Sequence, residues 1–112
     1  MNQEIPIDLA KLEKITKGDK EFQQLLLTIF MEDAPGFVEE IKNALATKDY
    51  DTLEKKAHQL KGSSASIAMF ELSTIAEKFE RQGNNKHIED AGAMVEQMEA
   101  MLKQVQLFLD PN

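Results

Sequence analysis

The ten residues Ala57-His58-Gln59-Leu60-Lys61-Gly62-Ser63-Ser64-Ala65-Ser66 hold most of the chemistry this sequence can do. Ala57 falls on an inward helical stripe, so His58 lies about 100° further round and turns towards solvent. Lys61 and Gly62 follow three and four residues on, over the same outward face. A glycine inside a helix costs about 1 kcal/mol relative to alanine, and the apolar pattern gives no reason for one here. The three together place a bare stretch of backbone and an ammonium beside an exposed imidazole. Such a surface suits close approach of another macromolecule and delivery of an anionic group. Neutral imidazole is a good nucleophile near pH 7 and needs no general base to attack through its unprotonated nitrogen. Lys61 is placed to bind phosphoryl oxygens as a point charge. Ser63 and Ser64 offer hydrogen bonds to the ring or to a phosphoryl group, although Ser64, on the inner stripe, is equally a small residue admitted at a helix crossing. Gln59 is either a site residue or plain surface. His87 follows Lys86 at a helix start with no partner in register and reads as ordinary surface.

Other chemistries lack their residues. There is no G-x-x-x-x-G-K-[ST] loop, no G-x-G-x-x-G, no G-x-S-x-G and no H-E-x-x-H, so neither nucleotide binding nor autonomous kinase activity is expected. The sequence has no cysteine and two histidines, which leaves little for a transition-metal site. Glu54 and His58 have i,i+4 spacing and could share an ion, but such pairs arise by chance in an acidic helical chain.

The elements that must hold this segment are helical. Leu9, Leu12 and Ile15 mark a two-turn helix from Asp8 to Ile15. Asp19 caps a second, in which Phe22, Leu25, Leu26, Ile29, Phe30, Phe37, Val38, Ile41 and Leu45 step along one broad inward face. Pro35-Gly36 predicts a bend near Asp33 within one helix, since the apolar phase resumes beyond it. A third helix, capped by Asp49 or Asp51, runs from about Thr52 to Ser66 with Leu53, Ala57, Leu60, Ser64 and Ile67 inward. A corner at Ala68-Met69 leads to a fourth, with Leu72, Ile75, Ala76 and Phe79 inward and Gly83-Asn84-Asn85 as its stop. In the last, Ile88, Ala91, Val95, Met98, Leu102, Val105 and Leu109 recur every three or four residues, a stripe widened by Met94, Met101 and Phe108, with the methionines as core filler. The fold expected is all-α, an antiparallel four-helix bundle with a short extra N-terminal helix.

The 112 residues, 13 basic against 20 acidic for a net charge of −7, fit one domain over 1–112. Acidity argues against nucleic-acid binding. No apolar run is long enough for a membrane span, and the N-terminus is too polar for a signal peptide, so a cytoplasmic protein is expected.

Ala57-His58-Gln59-Leu60-Lys61-Gly62-Ser63-Ser64 in helix three closely resembles the motif of histidine-containing phosphotransfer (HPt) domains, the intermediates of two-component phosphorelays. Phe22 to Pro35 is similar to that family's second helix and Leu72 to Glu80 to its fourth. The resemblance implies that His58 accepts a phosphoryl group from the phospho-aspartate of one receiver domain and passes it to the aspartate of another. Lys61 would assist electrostatically, Gly62 would give the receiver room, and Gln59, Ser63, Ala65 and Glu80 would line the site. The implied partners are response-regulator receiver domains and a hybrid sensor histidine kinase, met by a monomeric carrier. No cofactor is expected, the Mg²⁺ of such transfers belonging to the receiver. Where the family commonly has a glycine ten residues after the histidine, this chain has Ala68, which bears on the helix three–four corner. Leu9, Leu12 and Ile15 are candidates for a docking patch, though covering the bundle end accounts for them equally. The competing expectation is a helical adaptor that binds a partner without being phosphorylated.

Overall fold

Aspartates start the first three helices by the same device. Asp8, Asp19 and Asp49 each accept a hydrogen bond from the backbone N–H three residues on, at Lys11, Phe22 and Thr52. Each cap satisfies an amide the helix cannot, and is worth about 1 kcal/mol over alanine. In this computed structural model, which describes residues 5–110, the elements are α1 (Leu9–Thr16), α2 (Lys20–Thr47), α3 (Tyr50–Ser66), α4 (Phe70–Asn85) and α5 (Ala91–Leu109). The helices α2 to α5 form the antiparallel bundle, and α1 lies against the start of α2. Among the described residues no helix is long and apolar enough to cross a membrane.

α2 is continuous through Pro35, whose ring is on the exposed side of the helix. Its buried row differs from the expected one. Leu27, Phe30, Ala34, Val38, Ile41 and Ala44 are buried, whereas Phe22, Leu25 and Ile29 are 42, 54 and 47% exposed. Leu26, Phe37 and Leu45 are half-buried at the edge of the core. The reason is geometric: α2 has 28 residues against 17 in α3, and with Lys56 level with Glu40 its first turns extend beyond the α3–α4 corner, so only a narrow row finds neighbours there. α1 behaves likewise, with Leu12 buried and Leu9 and Ile15 exposed.

The inner faces of α3 and α4 match expectation. Leu53, Ala57, Leu60, Ser64 and Ile67 meet Leu72, Ile75, Ala76 and Phe79, all buried. Burying each large side chain contributes about 1.5–3 kcal/mol. α5 begins at Ala91, later than the apolar repeat implied, and buries Met94, Met98, Met101, Leu102 and Val105. Ile88 is left half-buried in the preceding loop, and Phe108 is exposed. That loop is pinned by Gln82, whose side-chain amide donates to the carbonyl of Glu89 and accepts from its N–H.

Two local features fix how α3 and α4 meet. At the corner, Ala68 adopts a left-handed backbone at φ 63° and is fully buried. Met69 N–H closes the turn onto Ser64 O, and Ala68 O accepts from Asp8 N–H, tying α1 to the corner. The turn thus forms with alanine in place of glycine. At the opposite end, Gly83 is not the helix stop. It lies inside α4, and a Cβ there would sit 2.9 Å from both Glu54 N and Tyr50 O. Lys86, left-handed, ends the helix instead.

Candidate functional site

Gly83 follows Glu80 by three residues and Glu54 precedes His58 by four. The backbone contact that Gly83 permits is therefore one helical turn from the His58–Glu80 pair and sets its spacing. There, His58 Nδ1 lies 2.9 Å from Glu80 Oε2. The other carboxylate oxygen, Oε1, is 2.7 Å from Lys61 Nζ, a charge contact whose angle falls outside a well-formed hydrogen bond. One carboxylate from α4 thus bridges the two expected chemical groups of α3. The main chain of α3 is also held here, since Ser73 Oγ of α4 donates to Lys61 O at 3.1 Å.

The electrostatics select the ring's tautomer. Lys61 holds the Glu80 carboxyl below the usual carboxylate range, with burial opposing and His58 adding a smaller effect in the same direction. Glu80 in turn raises Lys61 above the ordinary ammonium range, aided by the more distant Glu77. An ionised carboxylate only accepts hydrogen bonds, so the nitrogen facing it must be the donor. In the neutral imidazole Nδ1 therefore carries the proton, and Nε2, across the ring, carries the lone pair. The side chain of His58 is 67% exposed.

The other expected site residues divide by face. Gln59 is exposed and lines a groove of about 560 Å³ with His58, Glu80, Asp51, Glu54, Lys55 and Lys56. Gly62 is exposed, and a Cβ there would meet nothing within 4 Å, so no packing among the described residues requires glycine. Ala65 is exposed and Ser63 half-buried. Ser64 is buried and spends its hydroxyl on Leu60 O at 2.7 Å, which makes it a crossing residue and not a site group. His87 is at the far end of α4 beside Glu89. Sequence reasoning missed Ser73 and the close approach at Gly83. A serine directly after a core leucine looks like any solvated helical position, and a glycine near a helix end looks like a stop. Among the described residues no three His, Cys, Asp or Glu side chains are grouped to hold a metal.

A family model described as Hpt domain matches residues 25–107, a span that includes α3, α4 and most of α2 and α5. The chain belongs to the Hpt domain family. Hpt domains serve histidine phosphotransfer in two-component phosphorelays, and the His58–Lys61–Glu80 cluster lies within the matched span. Among solved structures, the crystal structure of histidine-containing phosphotransfer protein B (HptB) from Pseudomonas aeruginosa PAO1 is similar in fold, with a TM-score of 0.82. The likeness covers 94% of this chain and 91% of that one at 23% sequence identity. No curated protein sequence gives a significant match.

Proposed function

We propose that this Hpt domain carries a phosphoryl group on His58, receiving it from the phospho-aspartate of one receiver domain and passing it to the aspartate of another. The observation that carries the reading is the ring itself: Nδ1 is bound to an ionised Glu80 while the lone pair of Nε2 belongs to a largely exposed side chain. In-line attack by Nε2 requires nothing further from the chain. Lys61, one helical turn along α3 from His58 and in contact with the same carboxylate, turns from Glu80 to the phosphoryl oxygens as negative charge arrives. A hybrid sensor histidine kinase is the proposed source, and the Mg²⁺ of the transfer belongs to the receiver, so the carrier uses no cofactor.

The receiver's footprint follows from helix register. Lys56 of α3 pairs with Glu40 of α2. Back along α2 from Glu40, the same row passes Gly36, Asp33, Ile29, Leu25 and Phe22, in steps of three or four. Because α2 and α3 are antiparallel, this row runs beside Gln59, Ser63 and Ser66. Gly62 forms a bare strip between the row and His58, and Gly36 is equally open, with nothing within 4 Å of a Cβ. Ile29 comes nine residues before the level of His58 on α2, about 14 Å along the axis, within the span of an interface of roughly 800 Å² per partner. The docking patch is therefore the exposed stripe of α2 together with Gln59, Gly62 and Ser63. Of the α1 residues considered for it, Leu12 is buried and unsuited, and Leu9 and Ile15 are exposed.

Intact-mass measurement after mixing with a phosphorylated receiver tests the reading. A single acid-labile, alkali-stable phosphoryl adduct, lost in His58→Gln, is expected. Binding of receivers with no adduct from any of them would leave a helical adaptor instead.

A further inference from the structure

Phosphorylation of Nε2 leaves the ring with a problem of charge. The Nε2 lone pair forms the N–P bond, and the P–O bond to the receiver aspartate breaks with its electron pair returning to that carboxylate. Since Nδ1 already bears a proton, the phosphorylated ring is a cation. In the onward step an aspartate oxygen attacks phosphorus and the N–P electron pair returns to Nε2. If Nδ1 has kept its proton, neutral imidazole leaves. If it has lost it, the leaving group is an imidazolate anion, which departs far more reluctantly.

Resting on the carrier reading above, we infer that Glu80 is a positioning residue that holds the Nδ1 proton through both halves of the transfer and so keeps the phosphorylated ring a competent leaving group. The contact of 2.9 Å puts its carboxylate directly on that proton, on the side of the ring away from the incoming phosphoryl group. Its charge therefore favours the ring cation more than it opposes the phosphoryl dianion. The other charged groups around the ring are Asp51, Glu54, Lys55, Lys56 and Lys61 on its own helix, with Glu77 reaching Lys61 from α4. Only Lys61 is drawn into contact with the same carboxylate, and as Lys61 turns to the phosphoryl oxygens, Glu80 is released to serve the ring alone. That exchange keeps each charge matched before and after transfer.

The test follows the ring proton by ¹⁵N NMR in the phosphorylated protein, loaded with a small-molecule phosphoramidate donor, for the wild type, Glu80→Gln and Glu80→Asp. The urea-unfolded wild-type phosphoprotein is the reference. Folded wild type should hold the Nδ1 proton to a pH higher by about one unit or more than the reference. Glu80→Gln, which keeps an acceptor oxygen but no charge, should lose most of that difference, and Glu80→Asp should restore part of it. The rate of phosphoryl discharge to a receiver should fall with rising pH at the same midpoint in each variant. Identical ring titrations in folded wild type and in the unfolded reference would overturn the inference even if the variants misfold. Failure of wild-type His58 to take up phosphate at all would instead sink the carrier reading, a separable result.

Discussion

Gly83 of α4 touches Glu54 of α3 backbone to backbone, so close that a methyl group on residue 83 would lie 2.9 Å from the Glu54 nitrogen. Gly62, outward on α3, has open space where its side chain would be. The same residue type thus answers to close packing in one place and to no contact among the described residues in the other.

Alanine at these two positions should have opposite effects. Gly62→Ala gains helix propensity with nothing to clash against, so the protein should become more stable by about 0.5–1 kcal/mol while phosphoryl transfer from a receiver slows. Gly83→Ala meets backbone that cannot swing aside, so it should lose about 1–3 kcal/mol despite the same propensity gain. Urea unfolding of both variants checks the signs, and a stabilised Gly83→Ala would refute the close-approach account.

Glu80 makes part of the stability depend on pH. Its carboxyl is held below the ordinary range in the fold, so the unfolded chain binds its proton more readily. The contribution is full above the unfolded carboxyl's pKa and is lost as pH falls through the lower folded value. Lys61, raised by the same contact, keeps its contribution down to the pH at which Glu80 takes up its proton, and at the other end loses it only as strong alkali carries pH through its folded value. Urea midpoints of wild type and Glu80→Gln should therefore differ at pH 7 and converge in acid, once pH has fallen through the folded carboxyl's value. A gap of equal size at both would mean that Glu80 acts through packing alone.

Much of this was legible in the residues. The inner faces of α3 and α4 could be read directly because both helices are covered by neighbours along their length, so period and burial coincide. α2 was harder: Phe22, Leu25 and Ile29 continue the apolar pattern, and a sequence cannot tell an apolar residue that meets the core from one left for another protein. In the site, His58, Lys61 and Gly62 share one helix and so one arithmetic. Glu80 comes 22 residues later, and its place was suggested by family likeness alone; that it grips both Lys61 and the ring depends on the approach of α4 at Gly83 and on Ser73, neither of which leaves a periodic trace.

Ala68 bears on how much a left-handed corner demands glycine. An L-residue there costs about 1–2 kcal/mol. Against this, alanine loses less entropy on folding than glycine, worth about 0.4–1 kcal/mol, and its fully buried methyl returns about 0.8 kcal/mol. These amounts nearly cancel, so Ala68→Gly should move stability by less than about 1 kcal/mol in either direction. Ala68→Val adds β-branching in a conformation that disfavours it and bulk at a fully buried position, and should cost more than about 2 kcal/mol. Thermal or urea unfolding separates the two.

The stripe on α2 makes the sharpest claim about partners. Phe22, Leu25 and Ile29 each leave about half of a large apolar side chain in water, on the row that continues beside Gly36 to the Glu40–Lys56 pair. Truncating a half-exposed side chain removes little core packing, so Leu25→Ala and Ile29→Ala should each change stability by less than about 1 kcal/mol. If a receiver covers the stripe, the same changes should weaken its binding by tenfold or so each, roughly 1.4 kcal/mol, and mainly by speeding dissociation. Leu107, equally apolar and exposed at the end of α5, is the comparison: its truncation should leave receiver affinity unchanged. Titrating one receiver domain against the three variants decides the matter. Equal affinities for Leu25→Ala, Ile29→Ala and wild type would move the footprint off α2 and onto the α4 side of His58.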